Sequence, residues 1–375
     1  MNPQDIFCPN MECPARGQTG KGNIHVHSQK EKRYFCEVCK QTFTTTKGTI
    51  FYRLRNDPTI VMYVVVLLAY GCPVQAIVKA FGLDERTVSE WHERAGQHCR
   101  RVHEHFVEDS QQDLEQVQAD EIQVKTQKGT YWMALALAVR TRLWLGGVVS
   151  RKRDLDLIQA LVDKVRAIAL CRPLLLAVDG LASYVTAFQL AFRSKVSHWR
   201  GKIGRCELIS WQSIAIVQVV KQRTQGILTV DRRIVQGSQE MVERLIKITQ
   251  NGKGMINTAF IERLNATFRM RLNNLVRRTR ALARRPKTLT AGMYLMGCFY
   301  NFCDFHHSLR LKLSVGNYGH HWVQRTPAIA AGLTDHQWTP TELFTFKVPL
   351  PRWKPPFRRG RPSLAMHQLA QRWAS

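Results

Sequence analysis

The sequence predicts a multidomain protein with a zinc β-ribbon, an all-α helix-turn-helix unit and a larger α/β domain that carries an insertion. Three observations predict it: two cysteine pairs near the N-terminus, two short helices joined by a glycine, and an alternation of strands and helices from about residue 116. The expected boundaries are a zinc ribbon at 1–50, a helix-turn-helix unit at 56–108, an α/β domain at 112–310 with an insertion at about 196–255, and a basic tail at 311–375.

The charge balance points to a polyanionic partner. Among 375 residues, 55 are Lys or Arg and 28 are Asp or Glu, which gives a formal net charge of +27. Such an excess destabilises a compact state by self-repulsion unless a polyanion offsets it, so we expect nucleic acid as the partner. An anionic membrane is the rival, but the apolar run at 60–71 is shorter than the ~20 residues of a membrane span. With no N-terminal signal segment evident, we expect a cytoplasmic, nucleoid-associated protein with no membrane partner.

Four cysteines have the spacing of a structural zinc site. Cys8 and Cys13 form the first pair, and Cys36 and Cys39 follow after 22 residues. Each short loop can turn both thiolates toward one point, as a tetrahedral Zn²⁺ requires. The polar, alternating segment between the pairs is typical of a small β-hairpin, which zinc would have to stabilise. In an alternative set, His25 or His27 replaces Cys8.

Two helices with a glycine turn follow the cysteine-rich segment. Pro73 fits the first position of a helix, Gly82 its left-handed end, and Asp84 the cap of a second helix. On that second helix Val88 and Trp91 are expected to face inward. The residues expected to face the DNA major groove are Arg86, Thr87 and Ser89. An ordinary helical hairpin is the alternative.

The central segment has the order of an RNase H-like fold. Its predicted elements are strands at 117–124, 131–139 and 143–150, a helix at 154–169, and a buried strand at 173–180 that ends in an acid. In that order Asp120 on the first strand and Asp179 on the fourth lie side by side. Glu121 competes with Asp120, but adjacent strand residues point to opposite faces, so we expect only one of them to serve.

A third acid is expected on a later helix, at about 257–280. Its apolar stripe, which would pack on the sheet, consists of Ile261, Leu264, Phe268, Leu272 and Leu275. Glu262 borders this stripe, where it can reach the two aspartates. Carboxylates ~4 Å apart repel by about 4 kcal/mol at an effective dielectric near 20, so a divalent cation is needed. Mg²⁺ or Mn²⁺ would serve and would assist phosphoryl transfer.

At these residues the sequence resembles the DDE transposases of bacterial insertion sequences, especially those with an N-terminal zinc ribbon and helix-turn-helix. The segments similar to the family's three acid motifs are Ala119–Glu121, Val178–Gly180 and Ile261–Arg269, and the tail phrase at 325–336 is similar too. The resemblance implies that Asp120, Asp179 and Glu262 are catalytic and bind Mg²⁺. It also implies cleavage and transfer of DNA strands.

One feature departs from the smallest members of that family. Here 82 residues separate Asp179 from Glu262, which is why 196–255 is interpreted as an insertion. The segment is expected to contain strands at 213–221 and 226–235 and a helix at 238–250. The long separation leaves four other acids as candidates for the third ligand, namely Glu207, Asp231, Glu240 and Glu243.

Basic residues with few acidic neighbours follow the third acid and recur in the tail. Those expected to contact DNA phosphates are Arg269, Arg277, Arg278 and Arg280 on the helix and its exit, and Arg359 and Arg361 in the tail. The segment at 351–362 of the tail is expected to be extended. Its Arg-Gly-Arg-Pro sequence fits either a minor-groove hook or a nonspecific basic tail.

Together these features predict a transposase that binds the terminal inverted repeats of an insertion sequence and uses Mg²⁺ and Zn²⁺. Its partners would be double-stranded DNA, as transposon ends and target, and further copies of itself, because two ends must be paired. Two alternatives remain: a DNA-binding regulator or inactive relic that uses only the zinc ribbon and helix-turn-helix, and a nuclease that cuts without joining.

Overall fold

The computed structural model describes residues 2–196, 206–224, 227–250, 254–276, 281–283, 285–314, 320–356 and 363–374. The chain divides into two compact units, one from Met1–Val61 with Phe344–Ser375 and the other from Met62–Leu343. Within the described residues, no helix has both the length and the apolar composition needed to cross a membrane.

Strands and helices alternate through much of the chain. The strands are β1 (Ile24–Ser28), β2 (Arg33–Cys36), β3 (Thr42–Thr44), β4 (Gln116–Thr126), β5 (Gly129–Ala138), β6 (Trp144–Ser150), β7 (Leu174–Asp179), β8 (Arg193–Val196), β9 (Glu207–Ser210), β10 (Ile214–Thr224), β11 (Ile227–Gln236), β12 (Leu311–Ser314) and β13 (His320–Val323). The helices are α1 (Pro58–Ala69), α2 (Val74–Phe81), α3 (Glu85–His103), α4 (Leu155–Ile168), α5 (Ala182–Ala191), α6 (Gln239–Thr249), α7 (Ala259–Arg271), α8 (Pro286–Cys298), α9 (Pro327–Ala330), α10 (Pro340–Thr345) and α11 (Leu364–Trp373).

The first unit combines both ends of the chain. β1, β2 and β3 form an antiparallel sheet in which Ile24 pairs with Cys36, and the cysteine-rich segment packs on it. Trp373, at the end of α11, is buried in the same apolar cluster. Arg16 donates a 2.8 Å hydrogen bond to the carbonyl of Pro351. Helix α11 follows the segment at 351–362 that is predicted to be extended, and Trp373 gains burial against the small sheet.

Helices α2 and α3 have the geometry that the turn residues predict. Gly82 ends α2 with φ of +62°, a left-handed conformation that glycine adopts without a steric penalty. Asp84 caps α3 by accepting a 2.7 Å hydrogen bond from the backbone of Arg86. Val88 and Trp91 are buried, as expected. The segment is a helix-turn-helix in form.

The central sheet of the second unit has six strands in the order β11-β10-β7-β4-β5-β6. β4, β5 and β6 form the expected antiparallel meander, and β7 lies parallel to β4. β7 is buried along Leu174–Val178, as its continuous apolar sequence predicts for a strand covered on both faces. The sheet contains both parallel and antiparallel pairs and is accompanied by helices, which confirms that this part of the chain is α/β.

The segment expected to be an insertion contributes to this sheet. β10 pairs in parallel with β7, with Val219 opposite Asp179, and β11 pairs with β10 as the edge strand. α6 covers the sheet through Val242 and Leu245, which share a buried cluster with Ala177 of β7. These elements were predicted but their pairing with the central sheet was not, because strand order depends on long-range pairing that local alternation does not encode.

Helix α7 is fixed to the sheet by a buried polar contact. Gln118, on β4, is fully buried, and its Oε1 accepts 3.0 Å hydrogen bonds from the backbone of Phe260 and Ile261. Its Nε2 donates to the carbonyl of Asn257 at 2.7 Å. These bonds satisfy free N–H groups of the first turn of the helix. They also set the position of Glu262 relative to β4.

Candidate functional site

The four N-terminal cysteines converge as the spacing predicts. Ligand atoms of Cys8, Cys13, Cys36 and Cys39 all lie within 4.8 Å of one another. The Sγ atoms of Cys8 and Cys39 are 3.6 Å apart, and those of Cys13 and Cys36 are 3.9 Å apart. A tetrahedral ion with Zn–S bonds of about 2.3 Å holds its sulfurs about 3.8 Å apart. The cluster therefore fits zinc.

The surroundings of the cysteine cluster also fit a cation. The hydrogen bond with Cys13 and burial raise the pKa of the Cys8 thiol well above its usual range, so four close thiolates need a positive charge to form. Asn23 Nδ2 donates to Cys36 Sγ at 3.5 Å and orients that ligand. His25, weighed as an alternative ligand, instead contacts Glu37 over 3.0 Å. The four-cysteine set is the one that the structure brings together.

A second cluster lies where β4 and β7 run side by side. Ligand atoms of Asp120, Glu121 and Asp179 lie within 4.8 Å of one another. The parallel register pairs Gln118 with Ala177, so Asp120 and Asp179, two residues further along each strand, are neighbours on the same face. Their predicted proximity is confirmed.

Glu121 also joins this cluster, although alternation along β4 predicts that it points to the opposite face from Asp120. Its side chain is almost fully buried, and Arg153 pairs with it. Tyr184 donates a 2.9 Å hydrogen bond to Glu121 Oε2. The pairing of β4 with β7 ends at Gln118, so the longer Glu121 side chain can reach the Asp120 carboxylate beyond that point. Both adjacent acids therefore reach the cluster, and the expectation that only one of them serves stays a prediction.

Asp120 is the acid whose ionisation is most disturbed by this arrangement. Burial and the charge of Glu121 raise its pKa to about 6, and the charges of Asp179 and Glu262 act in the same direction. Asn265, on α7, donates a 2.7 Å hydrogen bond to Asp120 Oδ2. A carboxyl group whose pKa is raised by burial and by neighbouring acids is typical of a site that binds a cation.

Asp179 and Arg153 complete the centre of the cluster. Asp179 Oδ1 accepts a 3.0 Å hydrogen bond from the backbone of Leu181, so the carboxylate also shapes the turn before α5. Arg153 Nη2 lies 3.5 Å from Asp179 Oδ2 while it pairs with Glu121. The guanidinium also stacks on Trp132, 5.0 Å from the ring centroid. One fixed cation thus offsets part of the negative charge.

Glu262 lies close to the acids but outside the cluster that the described residues form. It pairs with Lys221 of β10 and accepts a 2.8 Å hydrogen bond from Thr258 Oγ1. Burial opposes ionisation, yet these two partners together lower the pKa of Glu262. Lys221 lies on the same face as Asp179, two positions beyond Val219. Glu262 is therefore an ionised carboxylate at the border of the site.

The other candidates for the third acid lie elsewhere. Glu207 is exposed on β9, in a two-stranded sheet with β8. Asp231, on the edge strand β11, pairs with Arg233. Glu240 and Glu243 lie on α6, and Glu243 accepts a 2.6 Å hydrogen bond from Gln239. Glu262 is the candidate whose charge raises the pKa of Asp120, so it is the best placed of the five.

The predicted DNA-contacting residues are only partly described. On α3, the side chains of Arg86 and Ser89 are exposed and Thr87 is half-buried. Arg269, on α7, is half-buried. The remaining predicted contacts, Arg277, Arg278, Arg280, Arg359 and Arg361, lie outside the described residues.

Four residues that shape the acidic site were not predicted from the sequence. They are Gln118, Arg153, Tyr184 and Lys221. Glu121 was considered as a competitor of Asp120, and Gln118 is one of several polar residues in β4. Arg153 and Lys221 carried no signal, because basic residues are common along this chain.

No protein-family model matches this chain. Comparison with curated proteins gives no significant match either. What the protein does is therefore inferred from its side chains and their arrangement.

Proposed function

We propose that this protein is a DDE-type DNA transposase that cleaves and joins DNA strands with divalent metal ions. The observation that carries the proposal is the approach of Asp120 and Asp179 on adjacent parallel strands, with Glu262 at the border of the same site. The sheet supports it as well. An antiparallel meander followed by two parallel strands, in the order β6-β5-β4-β7-β10, matches the strand order of an RNase H-like domain.

The metal ligands are assigned from the exposure of each acid and from the side chains that it contacts. Asp120 and Asp179 are partly accessible and face the same side, which suits them to hold Mg²⁺ or Mn²⁺. Glu262 has 46% of its side chain exposed and serves as the third ligand. Glu121 is enclosed by Arg153 and Tyr184, so it positions Arg153 rather than meeting substrate. Bound metal would supply Lewis-acid stabilisation of the charge that develops on the phosphoryl oxygens.

The remaining side chains of the site prepare it for a polyanion. Lys221 holds Glu262 ionised and adds a positive charge beside the position of the phosphate backbone. Arg153 limits the repulsion between Glu121 and Asp179. Asn265 orients Asp120 through Oδ2, and the backbone N–H of Glu121 donates a 2.8 Å hydrogen bond to Oδ1 of the same carboxylate. Each of these contacts fixes an acid before substrate arrives, which favours a fixed reaction geometry.

DNA recognition is assigned to the zinc ribbon and to α3. The helix-turn-helix form of α2 and α3 and the exposed Arg86 and Ser89 suit a helix that enters the major groove. A net charge of +27 suits extensive phosphate contact. Pairing of two transposon ends would bring copies of the chain together on DNA. The ten free cysteines agree with a reducing, cytoplasmic location.

A strand-transfer assay tests the proposal. Purified full-length protein, Mg²⁺ or Mn²⁺, and linear DNA carrying the terminal repeats that flank the gene are incubated with a supercoiled target plasmid. Joined products are expected with the parent protein and are expected to vanish with Asp179→Asn. Asp163→Asn is the matched control, because Asp163 is an exposed acid on α4 away from the cluster, and it should retain full activity.

The alternatives give different products. Cleaved but unjoined DNA with the parent protein would indicate a nuclease. Specific binding to the repeats without cleavage in either metal would indicate a regulator or an inactive relic, and either outcome would overturn the proposal. Glu262→Gln and Glu121→Gln separate the two ligand assignments: the first should abolish joining, and the second should leave residual joining if Glu121 only positions Arg153.

A further inference from the structure

A cavity lined by arginines lies on the side of α7 that faces away from the acidic site. Its volume is about 620 Å³, within the range of pockets that bind small ligands. We call it the arginine pocket, and the lining residues that matter are Arg142, Phe260, Arg263, Arg271, Phe305 and His306. None of them belongs to the carboxylate cluster. The same helix therefore carries Glu262 toward the acids and Arg263 toward this cavity.

The pocket is lined by three arginines, Arg142, Arg263 and Arg271, and by one acid, Asp304. Arg271 is paired with Asp304, whereas neither Arg142 nor Arg263 forms an ion pair within the part of the chain that the structure describes. Burial and the charges of Arg142 and Arg263 lower the pKa of His306 to about 4. Positive charges that suppress protonation of a neighbouring histidine indicate a site that an anion would stabilise.

The backbone of Arg142 has an unfavourable conformation that the surrounding contacts maintain. It lies in the turn between β5 and β6 with φ of +57°, a left-handed conformation that non-glycine residues seldom adopt. Its guanidinium stacks on Phe260 at 3.8 Å from the ring centroid and donates to the carbonyl of Val139. Backbone strain of this kind clusters at ligand sites. Here it directs a partly buried cation into the pocket.

An exposed aromatic ring gives the pocket a second type of surface. Phe305 is 45% exposed although it lines the cavity, and it lies one residue from Asp304 and His306. Arginines bind phosphate and a free aromatic face stacks an unpaired base, so the two together recognise a nucleotide better than a bare anion.

We propose that the arginine pocket binds one unpaired nucleotide of single-stranded DNA, with its phosphate at Arg142 and Arg263 and its base on Phe305. Only the choice of DNA as the source of the nucleotide rests on the proposed function. The pocket would hold a displaced strand end on the opposite side of α7 from the carboxylates. A free nucleotide offers both the phosphate and the base, and inorganic phosphate offers the phosphate alone. Both are therefore compared with single-stranded DNA in the experiment.

Photo-crosslinking locates the bound base. A tetrameric oligodeoxynucleotide with one 5-iodouracil is irradiated with the full-length protein, without Mg²⁺, and crosslinked peptides are identified by mass spectrometry. The peptide containing Phe305 is expected to carry the crosslink. Thymidine monophosphate should compete more weakly than unlabelled tetramer, and inorganic phosphate more weakly still. Equal competition by inorganic phosphate would reduce the site to an anion site and overturn the nucleotide assignment.

Two variants separate charge from stacking. Arg263→Gln should lower the slope of log affinity against log salt by about 0.7, the value for one phosphate of a single strand. Phe305→Ala should weaken tetramer binding about tenfold and leave that slope unchanged. Arg244→Gln, an exposed arginine on α6, is the control for loss of one charge. Crosslinks elsewhere, or equal binding by all three variants, would overturn the proposal.

The pocket and the acidic site can fail independently. Asp179→Asn should retain the crosslink at Phe305, because no carboxylate of the cluster lines the pocket. A crosslink without strand transfer would remove the transposase assignment and keep the pocket. Strand transfer with no crosslink at Phe305 would remove the pocket and keep the transposase.

Discussion

Asn265 Nδ2 donates a 2.7 Å hydrogen bond to Asp120 Oδ2, which joins helix α7 to the acidic end of β4. The amide is buried, and its Oδ1 accepts no hydrogen bond from any described residue. A buried acceptor without a partner costs free energy, so this side chain is not optimised for stability. Its donor group instead orients the one acid whose pKa is most strongly raised.

Replacement of Asn265 by leucine should separate activity from stability. Leucine has the same number and branching of side-chain heavy atoms as asparagine, and it removes both the donor to Asp120 and the unsatisfied oxygen, so the thermal unfolding temperature should change little. Metal affinity or strand transfer should fall about 10- to 100-fold, as for other residues that orient a metal ligand. Isothermal titration with Mn²⁺ and unfolding curves check this. Unchanged metal affinity would show that Asn265 does not orient Asp120.

Asp120→Asn should stabilise the metal-free protein at neutral pH and not in acid. In the folded state the pKa of Asp120 is about 6, above the usual 3.8. Between these two pH values the Asp120 carboxyl group keeps its proton in the folded protein and has lost it in the unfolded chain. Stability is therefore lost as the pH rises from about 4 to 6, and the full penalty, on the order of 3 kcal/mol, remains above pH 6.

Urea unfolding without divalent metal at pH 4 and at pH 7.5 measures that difference. The free energy of unfolding of the variant should exceed that of the parent at pH 7.5 and equal it at pH 4. Added Mn²⁺ should stabilise the parent and leave the variant unchanged, because Asp120 is one of the proposed metal ligands and the metal site exists only in the folded state. A variant less stable than the parent at pH 7.5 would contradict the raised pKa.

Tyr184→Phe should weaken the fold around Glu121. The Tyr184 hydroxyl is fully buried and donates to Glu121 Oε2, so its loss leaves a buried carboxylate with one partner fewer. Hydrogen bonds to charged groups contribute about 1.5–3 kcal/mol, and the unfolding free energy should fall by about that amount. Tyr63→Phe, at a residue 57% exposed, is the control and should leave it unchanged. Equal effects of the two substitutions would argue against a structural role for the Tyr184 hydroxyl.

Local patterns in the sequence predicted most of the second unit's elements. The stripe on α7 is buried at Ile261, Leu264 and Phe268, as its spacing predicts. The strand order was not predictable in the same way. The segment that contains β10 was interpreted as an insertion because 82 residues separate Asp179 from Glu262, and nothing in the alternation of β10 indicates that it pairs with β7.

The acidic site was predicted in part for a related reason. The predicted order of strands placed Asp120 and Asp179 side by side correctly, but alternation does not indicate that the pairing of β4 with β7 ends at Gln118. The reach of Glu121 and its pairing with Arg153 depend on where that pairing ends. Contacts between residues far apart in sequence, such as Arg16 with Pro351, likewise leave no local signal.

Trp373→Ala should weaken zinc retention although residue 373 is far from the cysteines in sequence. Trp373 is 2% exposed in the apolar cluster that contains Cys8, Cys13 and Cys36. Removing a buried tryptophan costs about 3–5 kcal/mol through lost burial and an added cavity. Zinc binding is coupled to the folding of such a small unit, so part of that cost should appear as faster loss of metal to a chelator.

A colorimetric chelator that reports released zinc, with the full-length protein, measures that rate. Leu364→Ala, on the same helix α11 but 76% exposed, is the matched control and should release zinc at the parent rate. The Trp373 variant should also lose its metal at a lower temperature. If both variants keep zinc as the parent does, the C-terminal helix contributes nothing to the cysteine site, and its burial serves the small unit in some other way.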